Sequence, residues 1–172
     1  GVAGWDFIVG DRVELAGLPS PSLTGPIQVA NAATALMALH QLRDRLPLFR
    51  EAIERGLQSA LLPGRFQRVP DSRGFEWVLD VAHNPAAATT LAANLQALPV
   101  PGRTLAVCGM LGDKDVPGVI GTLRRSIDQW FAATAEGPRA IDAAELARRA
   151  GEAGVYLQPA GTVPEAMQRA AE

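Results

Sequence analysis

The residues best suited to chemistry gather where apolar runs stop. In "WVLDVAHNPAAATTLAANL" (77–95) an apolar run ends on Asp80, and His83 and Asn84 then lead into an alanine-rich stretch. A carboxylate, an imidazole and a carboxamide gain nothing from burial, so the cluster needs a polar role. Asn84 and Pro85 have a structural one: Asn caps a helix and Pro takes its first position. On that plain account Asp80 simply ends a strand and His83 is a loop residue. A functional role does not compete with the cap. An Asp at a strand end can accept from both hydroxyls of a ribose, an imidazole can donate to a phosphate, and a helix N-terminus favours an anion.

Two further clusters have the same character. "GMLGDKDV" (109–116) follows the apolar run "RTLAVCG" and holds Lys114 between Asp113 and Asp115. Its structural reading is a solvated loop in which Asp115 caps the next helix. Its chemical reading pairs Lys114 with an anionic group such as a substrate carboxylate. It is not a GxGxxG fingerprint, so a dinucleotide site is poorly supported. "PGR" (63–65) places Arg65 beside a Gly at a composition break, where a guanidinium can clamp a phosphate or simply face solvent. Asn31 lies one turn inside a helical pattern, where an amide does not help the helix, and suits either an adenine edge or an exposed surface. His40 reads as a helix-surface residue without an evident partner.

The elements that must position these residues follow from periodicity. "WDFIVGDRVEL" alternates around Gly-Asp and predicts a hairpin. Residues 28–43 carry apolar side chains at helical spacing, and a second helix is expected from near Pro47 to Ala60. Residues 66–69 and 76–80 flank "PDSRG" and predict a short hairpin leading into a buried strand. Helix 85–97, strand 103–109, helix 116–125, strand "QWFAAT" and helix 143–150 come next. Strand "VYLQ" and helix 163–171 end the series. Asp142 with Glu145, and Thr162 with Glu165, have capping-box spacing. Strand followed by helix, four times over, predicts an α/β fold: a Rossmann-like open, mostly parallel sheet flanked by helices. The part before Pro63 has a hairpin and helices but no such alternation, so a domain boundary is expected there.

Composition excludes several classes. The chain has 172 residues, 48% hydrophobic and 20% charged, with a net charge of −2. No basic excess is present to neutralise phosphates, which argues against nucleic-acid binding. No apolar run of about 18 residues marks a membrane helix, and no basic segment before an apolar core marks a secretory signal. The single cysteine, Cys108, has no partner for an intramolecular disulfide, consistent with a cytoplasmic setting. Of the sixteen basic residues only Lys114 is a lysine, which makes its retention in this Arg-rich chain informative. There is no GxxxxGK[ST] phosphate loop, and the sequence ends on a helix without a further strand, as expected for the back end of something larger.

Taken in order, "QVANAATALMAL", "LLPGRFQ", "VLDVAHNPAAATTLAANL", "LAVCGMLGDKDVPGVI" and "EGPRA" resemble the folate branch of the Mur ligase superfamily, the dihydrofolate and folylpolyglutamate synthases. The resemblance implies residues 1–62 as the end of a central ATP-binding domain. It implies 63–172 as a C-terminal Rossmann-like ligase domain lacking its last strand. It implies an ATP- and Mg²⁺-dependent ligase of folate biosynthesis that adds L-glutamate to dihydropteroate or a reduced folate through an acyl phosphate. Asn31 would contact adenine, Arg65 the ATP phosphates and Asp80 the ribose. His83 and Asn84 would share the nucleotide-facing loop, with Arg65 and His83 closest to the reacting phosphates. Lys114 would hold the incoming glutamate. Domain closure would assemble such a site and exclude water from the acyl phosphate.

The metal ligands of that family are implied to lie mainly outside this chain, the parent enzyme to be a monomer, and the isolated chain to be inactive. Two other readings stay open: a non-catalytic Rossmann-like nucleotide-binding or regulatory module, and a Mur-type ligase using another amino acid.

Overall fold

The structure, a computed structural model, describes residues 4–98 and 100–172. The chain separates into two compact units, one ending at Asp80 and the other spanning Val81–Glu172.

The first unit opens with β1 (Trp5–Val9) and β2 (Arg12–Leu18), an antiparallel hairpin turning at Gly10-Asp11. Gly10 has φ +60°, a conformation that glycine adopts without penalty. Helices α1 (Ile27–Gln41) and α2 (Arg50–Ser59) follow. Phe7, Leu18, Leu36 and Ile53 form the core of this unit. His40 is half-buried with its ring edge against Phe7, centroids 6.2 Å apart, so the partner missing from the sequence reading is an aromatic face.

Helix α2 begins three residues later than Pro47. Extended Phe49 is its N-cap, and the Phe49 carbonyl accepts from Ala52 and Ile53. Arg50 then pairs with Glu54 one turn on, at 2.7 Å, and supports the first turn.

β3 (Gln67–Pro70) and β4 (Glu76–Leu79) close the first unit as a second antiparallel hairpin. Its turn is held by Asp71, whose carboxylate accepts from Arg73 at 2.9 and 3.0 Å and from the Trp77 indole at 3.1 Å. The Arg73 guanidinium beside it, which also packs over Phe75, keeps the Asp71 carboxyl well below the usual range. The strand expected to be buried and to join the parallel sheet is therefore a half-exposed member of a two-stranded sheet. Its partner is fixed by the turn and by the Arg68–Glu76 pair at 2.8 Å.

The second unit runs α3 (Pro85–Ala97), β5 (Leu105–Cys108), α4 (Val116–Leu123), β6 (Gln129–Thr134), α5 (Ala143–Gly151), β7 (Gln158–Thr162) and α6 (Val163–Ala170). β5, β6 and β7 form a parallel sheet in that order, so the parallel sheet has three strands rather than four. Central β6 explains the layers. Trp130 and Ala132 join a core with α3, α4 and α5 residues, while Phe131 and Ala133 join Ala160 and Ala166 on the opposite face. Alternate side chains of one strand are thus buried on both sides, which is why its sequence reads as continuously apolar.

Capping residues set the helix starts. Asn84 Oδ1 accepts from Ala87 N at 2.9 Å, Asp115 Oδ1 from Gly118 N at 2.9 Å, and Asp142 Oδ1 from Glu145 N at 2.8 Å. The capping box at Thr162 and Glu165 is complete. At α5 the box stays half-made, because the Glu145 carboxylate takes Arg148 and Arg149 instead. Those guanidiniums hold its carboxyl at about 2. Among the described residues no helix is long and apolar enough to cross a membrane.

Candidate functional site

In the first unit the site is built around residue 65. Gly64 (φ +70°) and Phe66 (φ +46°) are both left-handed, and Phe66 is the only such non-glycine among the described residues. This conformation costs a non-glycine residue of order 1 kcal/mol and persists only when its surroundings hold it. Here the hold is visible. Phe66 is 4% exposed, and its N–H donates to Asp80 Oδ2 at 2.9 Å. Gly64 N donates to the Gln67 side chain at 3.1 Å. Arg65, between the two kinks, is exposed, and its guanidinium makes no hydrogen bond or ion pair among the described residues. Asp80, the residue after β4, thereby braces the loop that presents Arg65.

Asn31 stands apart from this motif. It is exposed on α1, and its Nδ2 donates to Gln28 Oε1 at 3.1 Å.

The brace has a measurable consequence. Asp80→Ala leaves a buried amide without its acceptor, at a cost of roughly 1–3 kcal/mol. Asp80→Asn keeps an acceptor oxygen and should recover most of that loss. Urea unfolding of the two variants checks this, and equal losses would show that the Phe66 contact is not what Asp80 supplies.

In the second unit the polar residues come from loops that precede helices. His83 is exposed, and its Nδ1 lies 3.0 Å from the Val81 carbonyl. A carbonyl only accepts, so Nδ1 carries the hydrogen and Nε2 is the ring atom left for a ligand. That atom donates to a phosphate only when the ring is an imidazolium. Asn84 has its side-chain oxygen committed to the cap, as expected.

The first turn of α4 approaches the start of α3 closely. A Cβ at Gly118 would lie 2.9 Å from Pro85 Cγ and would also strike Asp115 Oδ2. Glycine at 118 is therefore what lets the first turns of α3 and α4 lie this close.

Lys114 is half-buried, and its Nζ donates to Asp113 Oδ2 at 2.9 Å. This lysine is the main reason the Asp113 carboxyl sits below its ordinary range. The backbone beneath is pinned to the loop after β6: Gly112 N donates to the Arg139 carbonyl at 2.8 Å, and Ile141 N to the Met110 carbonyl at 3.2 Å. From α5, Arg149 Nη1 donates to the Gly112 carbonyl at 2.8 Å while its Nε holds Glu145 at 2.7 Å. A Cβ at Gly112 would meet Ile141 Cγ2 at 3.1 Å, so the second glycine of "GMLGDKD" serves this close seam. Arg139 and Arg149 were not singled out by sequence reasoning. The only signal for Arg139 was its place in "EGPRA".

Cys108, at the end of β5, is a free thiol. Burial pushes it up to about 12, so it is not ionised at neutral pH.

A family model for the Mur ligase, glutamate ligase domain, matches residues 64–172. The chain belongs to the Mur ligase family. The dihydrofolate synthase/folylpolyglutamate synthase of Escherichia coli (strain K12) is 45% identical over 137 residues, covering 80% of this chain and 31% of that protein. The crystal structure of the bifunctional folylpolyglutamate synthase/dihydrofolate synthase of Yersinia pestis CO92 superposes with a TM-score of 0.78 at 43% identity. It covers 98% of this chain and 37% of that one. A structure of such a bifunctional enzyme with Mn, AMPPNP and L-glutamate bound gives a TM-score of 0.81 at 43% identity, over 98% of this chain and 38% of that one. This Mur ligase chain thus spans about a third of the length of the relatives it matches. The expected Rossmann-like class of its sheet agrees with these structures.

Proposed function

We propose that the chain supplies the C-terminal part of an ATP-dependent ligase that joins L-glutamate to dihydropteroate or to a reduced folate. The observation that carries this reading is the fit of 98% of the chain, at 43% identity, to an enzyme holding a nucleotide analogue and L-glutamate. Residues 1–62 would close the central ATP-binding domain and 63–172 would form the ligase domain.

In the first step a folate carboxylate oxygen attacks the γ-phosphorus of ATP, the bond to the bridging oxygen breaks, and ADP leaves with that electron pair. In the second the glutamate amine, having given up a proton, attacks the acyl carbon. The carbon–oxygen bond to phosphate breaks, leaving an amide and inorganic phosphate. Arg65, flanked by two left-handed residues and without a side-chain partner among the described residues, suits the charge growing on the phosphates. Asp80 would take the ribose, Asn31 the adenine edge, and His83 Nε2 a phosphate oxygen. Lys114 would hold a glutamate carboxylate.

Among the described residues no three His, Cys, Asp or Glu side chains gather to hold a metal ion. Mg²⁺ would be held mainly by residues of the parent enzyme that lie outside this chain. The test is a chimera in which this chain replaces the matched residues of the Escherichia coli relative, assayed for ADP formation over many turnovers that requires both glutamate and dihydropteroate.

A further inference from the structure

Resting on the phosphate role given to Arg65 above, we propose that Gln67 is a positioning residue for that arginine. It acts through the Gly64 amide and makes no contact with the nucleotide itself.

The backbone around Arg65 is held at three consecutive amides, each with a different acceptor. Gly64 N–H donates to Gln67 Oε1 at 3.1 Å, Arg65 N–H to the Leu62 carbonyl at 3.3 Å, and Phe66 N–H to Asp80 Oδ2 at 2.9 Å. The segment lies between α2 and β3, outside any helix or strand, so two of its three restraints are side chains. Gly64 has φ +70°, and glycine takes either sign of φ about equally well. Its own sterics therefore do not select this conformation, and the selection falls to the Leu62 turn and the Gln67 acceptor. A backbone N–H only donates, which fixes the carboxamide of Gln67 with its oxygen toward Gly64.

Both side-chain acceptors belong to one support. Gln67 is the first residue of β3, its register partner is Leu79, and Asp80 follows directly. The open end of the β3–β4 hairpin thus carries the two groups that seat residues 64 and 66. The hairpin is tied along its length by the Arg68–Glu76 pair and at its far end by Asp71, which takes Arg73 and the Trp77 indole. Buried Phe66 anchors the segment from the other side of Arg65.

A guanidinium meets a phosphate productively only in the fraction of molecules whose backbone already presents it, and apparent affinity falls with that fraction. Removing one hydrogen bond of this kind loosens the seat about three- to tenfold. Gln67 is half-buried at a hairpin end, so its replacement leaves the core of the unit intact.

Gln67→Leu keeps the bulk of the side chain and removes the acceptor. In the chimera it should lower kcat/KM for ATP about three- to tenfold and leave the glutamate KM unchanged. The deciding comparison is Arg65→Ala with and without Gln67→Leu. Because Gln67 works only through Arg65, the second change should add nothing to the first. Amide exchange followed by NMR in the 172-residue chain reads the seat directly. The Gly64 N–H should exchange about three- to tenfold faster in Gln67→Leu and at the unsubstituted rate in Gln67→Glu, which retains an acceptor oxygen.

An unchanged kcat/KM for ATP in Gln67→Leu overturns the proposal, as does an equal loss with and without Arg65, or a Gly64 amide that ignores the substitution. None of these results touches the ligase reading, which ADP release by the unsubstituted chimera tests separately, and the exchange rates need no active chimera.

Discussion

Leu146→Ala should lower unfolding stability by about 2–5 kcal/mol, the range for emptying a fully buried leucine site. Leu146 is fully buried on α5, in the core that holds Ile120, Leu157 and Trp130. Helix α5 also carries Arg149, whose guanidinium fixes Gly112 beneath Lys114. The substitution therefore removes packing under the element that steadies the amino-acid loop. Urea unfolding followed at Trp130, with Trp5 and Trp77 replaced by Phe, reads the loss in the second unit. Arg148→Ala on the solvent side of the same helix is the control, expected to cost about 1 kcal/mol or less because exposed ion pairs contribute little. Equal effects of the two changes would mean that α5 is not seated as described.

Lys114→Ala has the second large effect, on substrate use rather than folding. In the chimera it should raise the glutamate KM about ten- to a hundredfold, the loss of one charge-assisted hydrogen bond, and leave the ATP KM unchanged. Lys114 is only half-buried and its partner Asp113 is exposed, so removing the ammonium leaves no stranded charge and stability should hardly change. Steady-state kinetics with each substrate varied in turn gives the answer. A raised ATP KM with an unaltered glutamate KM would move Lys114 from the amino-acid subsite to the nucleotide.

Where local signals and packing agreed, the sequence was a good guide. Asn84-Pro85 marks the start of α3 because an amide cap and a pre-set φ act within three residues, and "QWFAAT" is β6 to the residue. β7 was misplaced for a physical reason. "VYLQ" is apolar, but Tyr156 faces solvent at 81% exposure, and the paired residues are Gln158–Thr162, a Pro- and Gly-bearing run that reads as a loop. β7 is terminal in the order β5-β6-β7, and such an edge position tolerates Pro159. The β3–β4 hairpin was legible from its turn, but β4 is half-exposed and stays outside the parallel sheet, where a buried strand was expected.

The same division holds for the site. His83, Asn84, Asp113 and Lys114 announce themselves by type and by lying before helices. Asp80 was legible as a polar residue ending a strand, but its bond to Phe66 links positions fourteen apart and has no sequence pattern. The seam between Gly112 and Arg139, and the reach of Arg149 across 37 positions to the Gly112 carbonyl, exist only in the fold.

The central claim is that this chain can serve as the C-terminal part of a folate–glutamate ligase. Its most direct test is ADP release by the purified chimera carrying these 172 residues in place of the matched segment of the Escherichia coli relative. The account predicts sustained ADP release, over many turnovers, only when ATP, dihydropteroate and L-glutamate are all present. A folded chimera that binds ATP yet releases no ADP on addition of glutamate would contradict it.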